Sequence, residues 1–251
     1  MPRPDASAKL KAARPKEGPS KVIIGAVVVV VIIIAAVVAV IVNNQSSNGA
    51  SGGGSLPAHA LPNGGGVVVP GGKLQAGAPT VDLWEDFQCP FCKHLEDAAG
   101  QRFNTLADQG KIKLVVHPLS FLDSNLGNDS SKRAANASLC ASDAGKFEAY
   151  HSTVFAHQPT QEGAGYTDQQ LLQFGKDAGI SGQAYSTFEK CVNNQTYSKY
   201  VQAVQVAGDK AGIRSTPTVK VDGHELSTQQ LNTILSQPQQ LDQVLEAAAK
   251  K

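Results

Sequence analysis

Apolar residues are spread along the chain in two ways: one unbroken run near the start, and short periodic stretches from residue 67 onward. Residues 22–42 are apolar throughout and uncharged, and about 20 such residues cross a bilayer as a helix. β-branched side chains dominate the run and would favour a strand in water. In lipid every backbone polar group must be satisfied within the segment, which a helix achieves. With no amphipathic spacing, a buried strand or core helix explains the run less well. Residues 43–66 are rich in Gly, Ser, Asn and Pro and lack apolar periodicity, which predicts a flexible tether of roughly 25–30 Å root-mean-square reach. His59 within it reads as a solvated side chain.

Periodicity begins at 67–69, a short apolar run closed by Pro70-Gly71-Gly72, and 80–85 reads as a second strand. A helix follows from about 90 to 107, with Pro90 in its first turn and Gly110 past its end. At 112–119 a strand is expected, with Ile112, Leu114 and Val116 alternating against Lys111, Lys113 and Val115 before His117-Pro118 breaks the pattern. Helical spacing then recurs at 131–142, 146–157, 168–178, 184–192 and 197–211, separated by Gly, Pro or Asn. Residues 218–221 alternate as a strand, Asp222-Gly223 is a two-residue hairpin turn, and 224–226 begin the return. A helix capped by Ser227 or Thr228 follows, divided by Pro238 from a last helix ending near Ala249. The order is βαβ, a helical insert over about 120–212, then ββα: an α/β domain over 67–251, large enough for its own core.

Charge orients the chain. Arg3, Lys9, Lys11, Arg14, Lys16 and Lys21 precede the apolar run against only Asp5 and Glu17, and no basic residue follows it until Lys73. The positive-inside rule places a basic tail at 1–21 in the cytoplasm, a single-pass anchor at 22–42 in the cell membrane, and the remainder outside. A cleaved signal peptide is the competing reading; its apolar core would be about 7–15 residues long. The net charge of +1, with no basic stripe interleaved with aromatics, argues against a nucleic-acid binder.

The chemistry is carried by sulfur. Four cysteines occur, at 89, 92, 140 and 191. Cys89 and Cys92 stand where a strand pattern turns into a helix, so the Cys89 sulfur faces unsatisfied N–H groups and the positive end of the helix dipole. Its thiolate is favoured, and Cys92, one turn further in, can close a small disulfide with it. Cys140 and Cys191 fall on helices of the insert. In an oxidising compartment they are expected to form a structural disulfide, two inert buried thiols being the alternative. No metal, nucleotide or flavin motif is present, so neither a metal nor a cofactor is expected.

Cys89-Pro90-Phe91-Cys92 at the first strand-to-helix turn, with Thr216-Pro217 just before the later hairpin, resembles the thioredoxin superfamily. The helical insert makes the resemblance closest to DsbA-like thiol:disulfide oxidoreductases, here in a membrane-anchored form. The resemblance implies a cis proline at Pro217 lying against the active-site disulfide, with Thr216 offering its backbone to an extended substrate. It also implies a catalytic Cys89/Cys92 pair, reduced or unfolded exported proteins as clients, and a quinone-linked membrane oxidase of the DsbB or VKOR kind as partner. Phe91 departs from the most oxidising relatives, which carry histidine there, so Cys89 is expected to be less acidic and the protein less oxidising. A buried carboxylate commonly assists the inner sulfur in this fold. Asp82, Glu85 and Asp86 are the candidates, with Glu85 on the opposite strand face and each also readable as solvated. His94 and His117 read as structural or exposed.

Two rivals share these residues. A reductase or isomerase would use the same pair at a more negative potential. A metallochaperone would recruit Cys89, Cys92 and a nearby histidine, although no second Cys-x-x-Cys is present. A non-enzymatic scaffold leaves the cysteine pair unexplained.

Overall fold

The computed structural model describes residues 56–250. The expected basic tail, membrane anchor and residues 43–55 of the tether lie outside the described residues. Among the described residues no helix is long and apolar enough to cross a membrane.

The sheet has five strands in the order β1-β3-β2-β4-β5: β1 (Val67–Val68), β2 (Thr80–Asp86), β3 (Lys113–Leu119), β4 (Thr218–Val221) and β5 (His224–Glu225). β2 is central. It pairs in parallel with β3 from Thr80↔Lys113 to Asp86↔Leu119, and antiparallel with β4 from Val81↔Val221 to Trp84↔Thr218. A parallel pair needs a crossover, supplied by α1 (Pro90–Leu95), a π turn (Glu96–Gly100) and α2 (Gln101–Asp108). The expected single helix is therefore continuous but carries one wide turn. A Cβ on Gly100 would sit 2.4 Å from Glu96 Oε2, so the absent side chain is what lets the Glu96 carboxylate fold back over the helix.

Between β3 and β4 lies the helical insert: α3 (Leu122–Leu126), α4 (Ser130–Asp143), α5 (Phe147–Ala156), α6 (Asp168–Asp177), α7 (Gly182–Asn193) and α8 (Ser198–Lys210). Its hub is α4, buried from Ser130 to Ser142 apart from Lys132 and Arg133. Alanine and serine side chains there let α5, α6, α7 and α8 approach closely. A disulfide joins Cys140 on α4 to Cys191 on α7. α5 packs back against α1 and the π turn, which brings the insert onto the strand-to-helix turn. α9 (Thr228–Ser236), opened by a Ser227/Gln230 capping box, and α10 (Leu241–Ala249) complete the chain.

The expected tether over 43–66 ends too late, because residues 56–66 are part of the folded domain. The Leu61 N–H donates to Gly66 O (2.8 Å) and the Val68 N–H to His59 O (3.0 Å). Tyr200 Oη on α8 reaches Leu61 O and Gly66 O at 2.6 and 2.9 Å. Gly64, at φ +75°, lies so close to α8 that a Cβ would be 2.2 Å from Ala203 O. The glycines read as looseness serve close approach instead. His59 itself is exposed. Gly64→Ala is expected to lower stability to urea by more than about 1 kcal/mol; an unchanged midpoint would mean that this segment does not pack.

Candidate active site

β2 ends at Asp86, and the Cys89 N–H donates to Asp86 O at 2.9 Å, closing the turn into α1. Cys89 is the N-cap residue and Pro90 occupies the first helical position, where a missing N–H costs nothing. Cys92 is wholly buried, Cys89 is nearly so, and Phe91 between them is 68% exposed. Both cysteines are free thiols in this structure. The Cys89 thiol donates to Thr216 O at 3.3 Å, and the Thr216-Pro217 peptide bond is cis. Separate loops thus meet at one sulfur.

The two thiols differ in acidity. Cys89 is pushed down to about 6, chiefly by a hydrogen bond from the Cys92 thiol, with the Thr216 side chain and the N–H groups of Cys92 and Phe91 adding to it against burial. Cys92 is pushed up, first by burial, then by Cys89 and by the charge of Glu85. Near neutral pH the arrangement holds a nucleophilic thiolate beside a protonated partner.

The three candidate carboxylates separate cleanly. Asp82 is partly exposed and lies 2.8 Å from His117 Nε2, whose ring is buried and stacked on Trp84 at 3.6 Å. Asp86 is buried, against the solvated reading, and accepts from the Gln88 N–H (2.9 Å), Ser131 Oγ (2.5 Å) and the Leu122 N–H (3.1 Å). Burial raises it to about 7 despite these donors. It ties β2 to the insert. Glu85 is also buried rather than solvated; its Oε2 is 3.0 Å from His151 Nε2, and its Oε1 has no partner. Burial and the Cys89 charge hold it well above the usual carboxylate range. His94 is exposed on α1.

Four residues outside the sequence expectation shape the site. Gln158 Nε2 donates to Phe87 O (2.8 Å) and Cys89 O (3.0 Å), and Tyr166 Oη donates to Phe87 O (2.8 Å), so the insert clamps the backbone around the cysteine. His151, on α5, stands between Glu85 and Glu96, whose Oε2 is 3.6 Å from Nδ1. A polar residue on the apolar stripe of Phe147, Val154 and Phe155 was the available signal. Among the described residues, Glu85, Glu96 and His151 form a cluster with ligand-type atoms within 4.8 Å of one another; no cysteine belongs to it.

A family model described as thioredoxin matches residues 71–243. The chain belongs to the thioredoxin family. Its fold is DsbA-like. DsbA from Mycobacterium tuberculosis, reduced, is 26% identical with a TM-score of 0.56, the match covering 74% of this chain and 100% of that one. The MdbA protein of Corynebacterium diphtheriae, a thiol-disulfide oxidoreductase, is 22% identical with a TM-score of 0.60, covering 74% and 94%. Oxidised BdbD from Bacillus subtilis is 20% identical with a TM-score of 0.58, covering 79% and 100%. These last two are likenesses of fold. No curated protein matches the thioredoxin-family chain in sequence.

Two measurements follow from the acidities. Thiolate absorbance at 240 nm in the reduced protein should titrate with a midpoint near 6; a midpoint at the free-cysteine value of about 8.5 would contradict the geometry. Glu96 is raised to about 8 by burial and by Glu85. A carboxyl raised on folding contributes stability that is present below its unfolded value and lost as pH rises through its folded value. Glu96→Gln is therefore expected to match wild type in urea near pH 4 and to exceed it at pH 9 by about 1–3 kcal/mol.

Proposed function

We propose that this thiol-disulfide oxidoreductase acts as an oxidase, introducing disulfides into exported proteins through Cys89 and Cys92. The observation that carries the reading is the split between the sulfurs, with Cys89 held near 6 and Cys92 pushed up. A stabilised thiolate favours the reduced enzyme, and so makes the disulfide a better oxidant. A client thiolate attacks Cys89 of the disulfide, the Cys89–Cys92 bond breaks, and Cys92 leaves. A second client thiolate then attacks the client sulfur of the mixed disulfide, releasing the Cys89 thiolate and an oxidised client.

The surroundings support roles in these steps. Thr216 takes the Cys89 thiol hydrogen bond on its carbonyl, directly before the cis Pro217, and an extended client backbone would align along this loop. Phe91 offers an exposed apolar ring beside the reactive sulfur but no charge, in keeping with a milder oxidant than a histidine-bearing relative. Glu85 is the carboxylate best placed to exchange a proton with Cys92, because its Oε1 is buried without a partner and its charge reaches that thiol. The Cys140–Cys191 disulfide acts structurally, bracing the insert. The basic tail at 1–21 and the apolar run at 22–42 favour a single-pass anchor with the domain outside the cytoplasm. A quinone-linked membrane oxidase of the DsbB or VKOR kind would then return the pair to the disulfide.

The test uses the full-length protein with a reduced, unfolded two-cysteine client. The oxidised protein is expected to form the client disulfide stoichiometrically. Cys89→Ser should abolish the reaction, and Cys92→Ser should accumulate a mixed disulfide when challenged with a client disulfide. Its equilibrium with glutathione should give a potential less negative than about −200 mV. Insulin reduction far exceeding client oxidation, with a potential near that of thioredoxin, would reverse the assigned direction.

A further inference from the structure

Cys92 is wholly buried, so the proton it gains when it leaves the disulfide, and loses when the disulfide re-forms, must travel through protein. Glu85 can hold that proton, but Glu85 is itself 2% exposed. A buried carboxylate that gives up a proton has to be refilled.

The insert brings one side chain to this place. His151 Nε2 lies 3.0 Å from Glu85 Oε2, and on the other edge of the same ring Nδ1 lies 3.6 Å from Glu96 Oε2. The ring is held edge-on by Phe87 and Phe155 and stacked with Phe147, at centroid distances of 5.4, 5.0 and 5.8 Å. Bulk water is thus kept off the imidazole, while each nitrogen keeps a carboxylate. Glu96 reaches this position because of the π turn and the bare Cα of Gly100. Beyond it is a cavity of about 10 Å³ bordered by Glu96, Asn104, Glu148 and His151, the scale of a single water. Glu148 is only half-buried and opens to solvent.

We propose that His151 and Glu96 form a proton relay that connects Glu85, and through it Cys92, to solvent at Glu148. The proposal rests on the reading of Cys92 as the leaving thiol. During client oxidation the Cys92 thiolate takes the proton of Glu85. Glu85 recovers one from Nε2 of His151 as Nδ1 takes one from Glu96, and Glu96 is reprotonated from the Glu148 side. One proton has moved from solvent to Cys92, and the only lasting change is that the imidazole proton has shifted from Nε2 to Nδ1. When the disulfide re-forms, Cys92 gives its proton to Glu85, Glu85 returns one to Nε2, and Nδ1 releases one to Glu96. The original tautomer is restored without a ring flip, because the two half-reactions drive the relay in opposite directions. The groups facing His151 are Glu85 from β2, Glu96 from the π turn and Glu148 from its own helix; Asp97 acts on Glu96, and Cys89 on Glu85. The same three side chains offer ligand atoms within 4.8 Å of one another, so a metal ion is the competing occupant, and the experiment distinguishes it from a relay.

The test is single-turnover reduction of the oxidised full-length protein by dithiothreitol, quenched with acid and alkylated, from pH 5.5 to 8.5 in H₂O and D₂O. His151→Gln and Glu96→Gln are each expected to slow the step by about tenfold or more and to change its pH profile and solvent isotope effect. The double variant should be no slower than the slower single, since both residues lie on one path. The equilibrium with glutathione should stay within about threefold of wild type, which separates a relay from a structural role. A wild-type rate and isotope effect in His151→Gln would overturn the relay, as would multiplicative losses in the double variant. Stoichiometric metal bound by wild type and lost in His151→Gln would overturn it in favour of a metal site. In all three outcomes wild-type exchange persists, so the Cys89/Cys92 exchange reading stands; absence of wild-type exchange would instead sink that reading.

Discussion

Excluding Cys92 from water while holding Cys89 at the mouth of a helix forces the two sulfurs into different protonation states, and the surroundings follow from that asymmetry. A buried thiolate is costly because nothing replaces its hydration. The outer sulfur can be charged because backbone N–H groups, the neighbouring thiol and the Thr216 side chain support it. The inner one cannot, and its needs reach outward to Glu85 and from there to the insert. Acidity at one atom and packing at another are therefore a single design problem, solved at the junction of β2 and α1.

The insert is bound into that junction. Gln158 and Tyr166 hold the carbonyls of Phe87 and Cys89, Ser131 and the Leu122 N–H hold Asp86, and α5 carries His151 to Glu85. The insert thus supplies the partners of both carboxyls, Ser131 and the Leu122 N–H for Asp86 and His151 for Glu85. The raised pKa values of both carboxyls thus belong to the contact between the two halves of the domain rather than to β2 alone.

Much of this was legible in the residues. Alternation at 112–119 and 218–221, the Asp222-Gly223 turn and five helical stretches before it were enough for the sheet, its crossover and the insert, because periods of 2 and 3.6 follow directly from backbone geometry. The Cys89/Cys92 pair announced itself by placement. Strand alternation separated Glu85 from Asp82 and Asp86 but could not say what covers either face, since that depends on helices distant in sequence. Residues 56–66 misled for a different reason: Gly, Pro and Asn have the same composition in a loose linker as in a segment pressed onto a helix, and only the contact with Ala203 and Tyr200 distinguishes them.

Gly100 carries a wider consequence. It has no charge, makes no hydrogen bond through a side chain and touches neither sulfur, yet a methyl group there would sit 2.4 Å from the Glu96 carboxylate. The position of the Glu96 carboxylate is consequently under steric control, set by a missing carbon atom one turn along the helix. Homologues that share every ionisable residue of this cluster could still differ in redox kinetics if they differ at that glycine, so a comparison confined to titratable positions would overlook the residue that admits one of them.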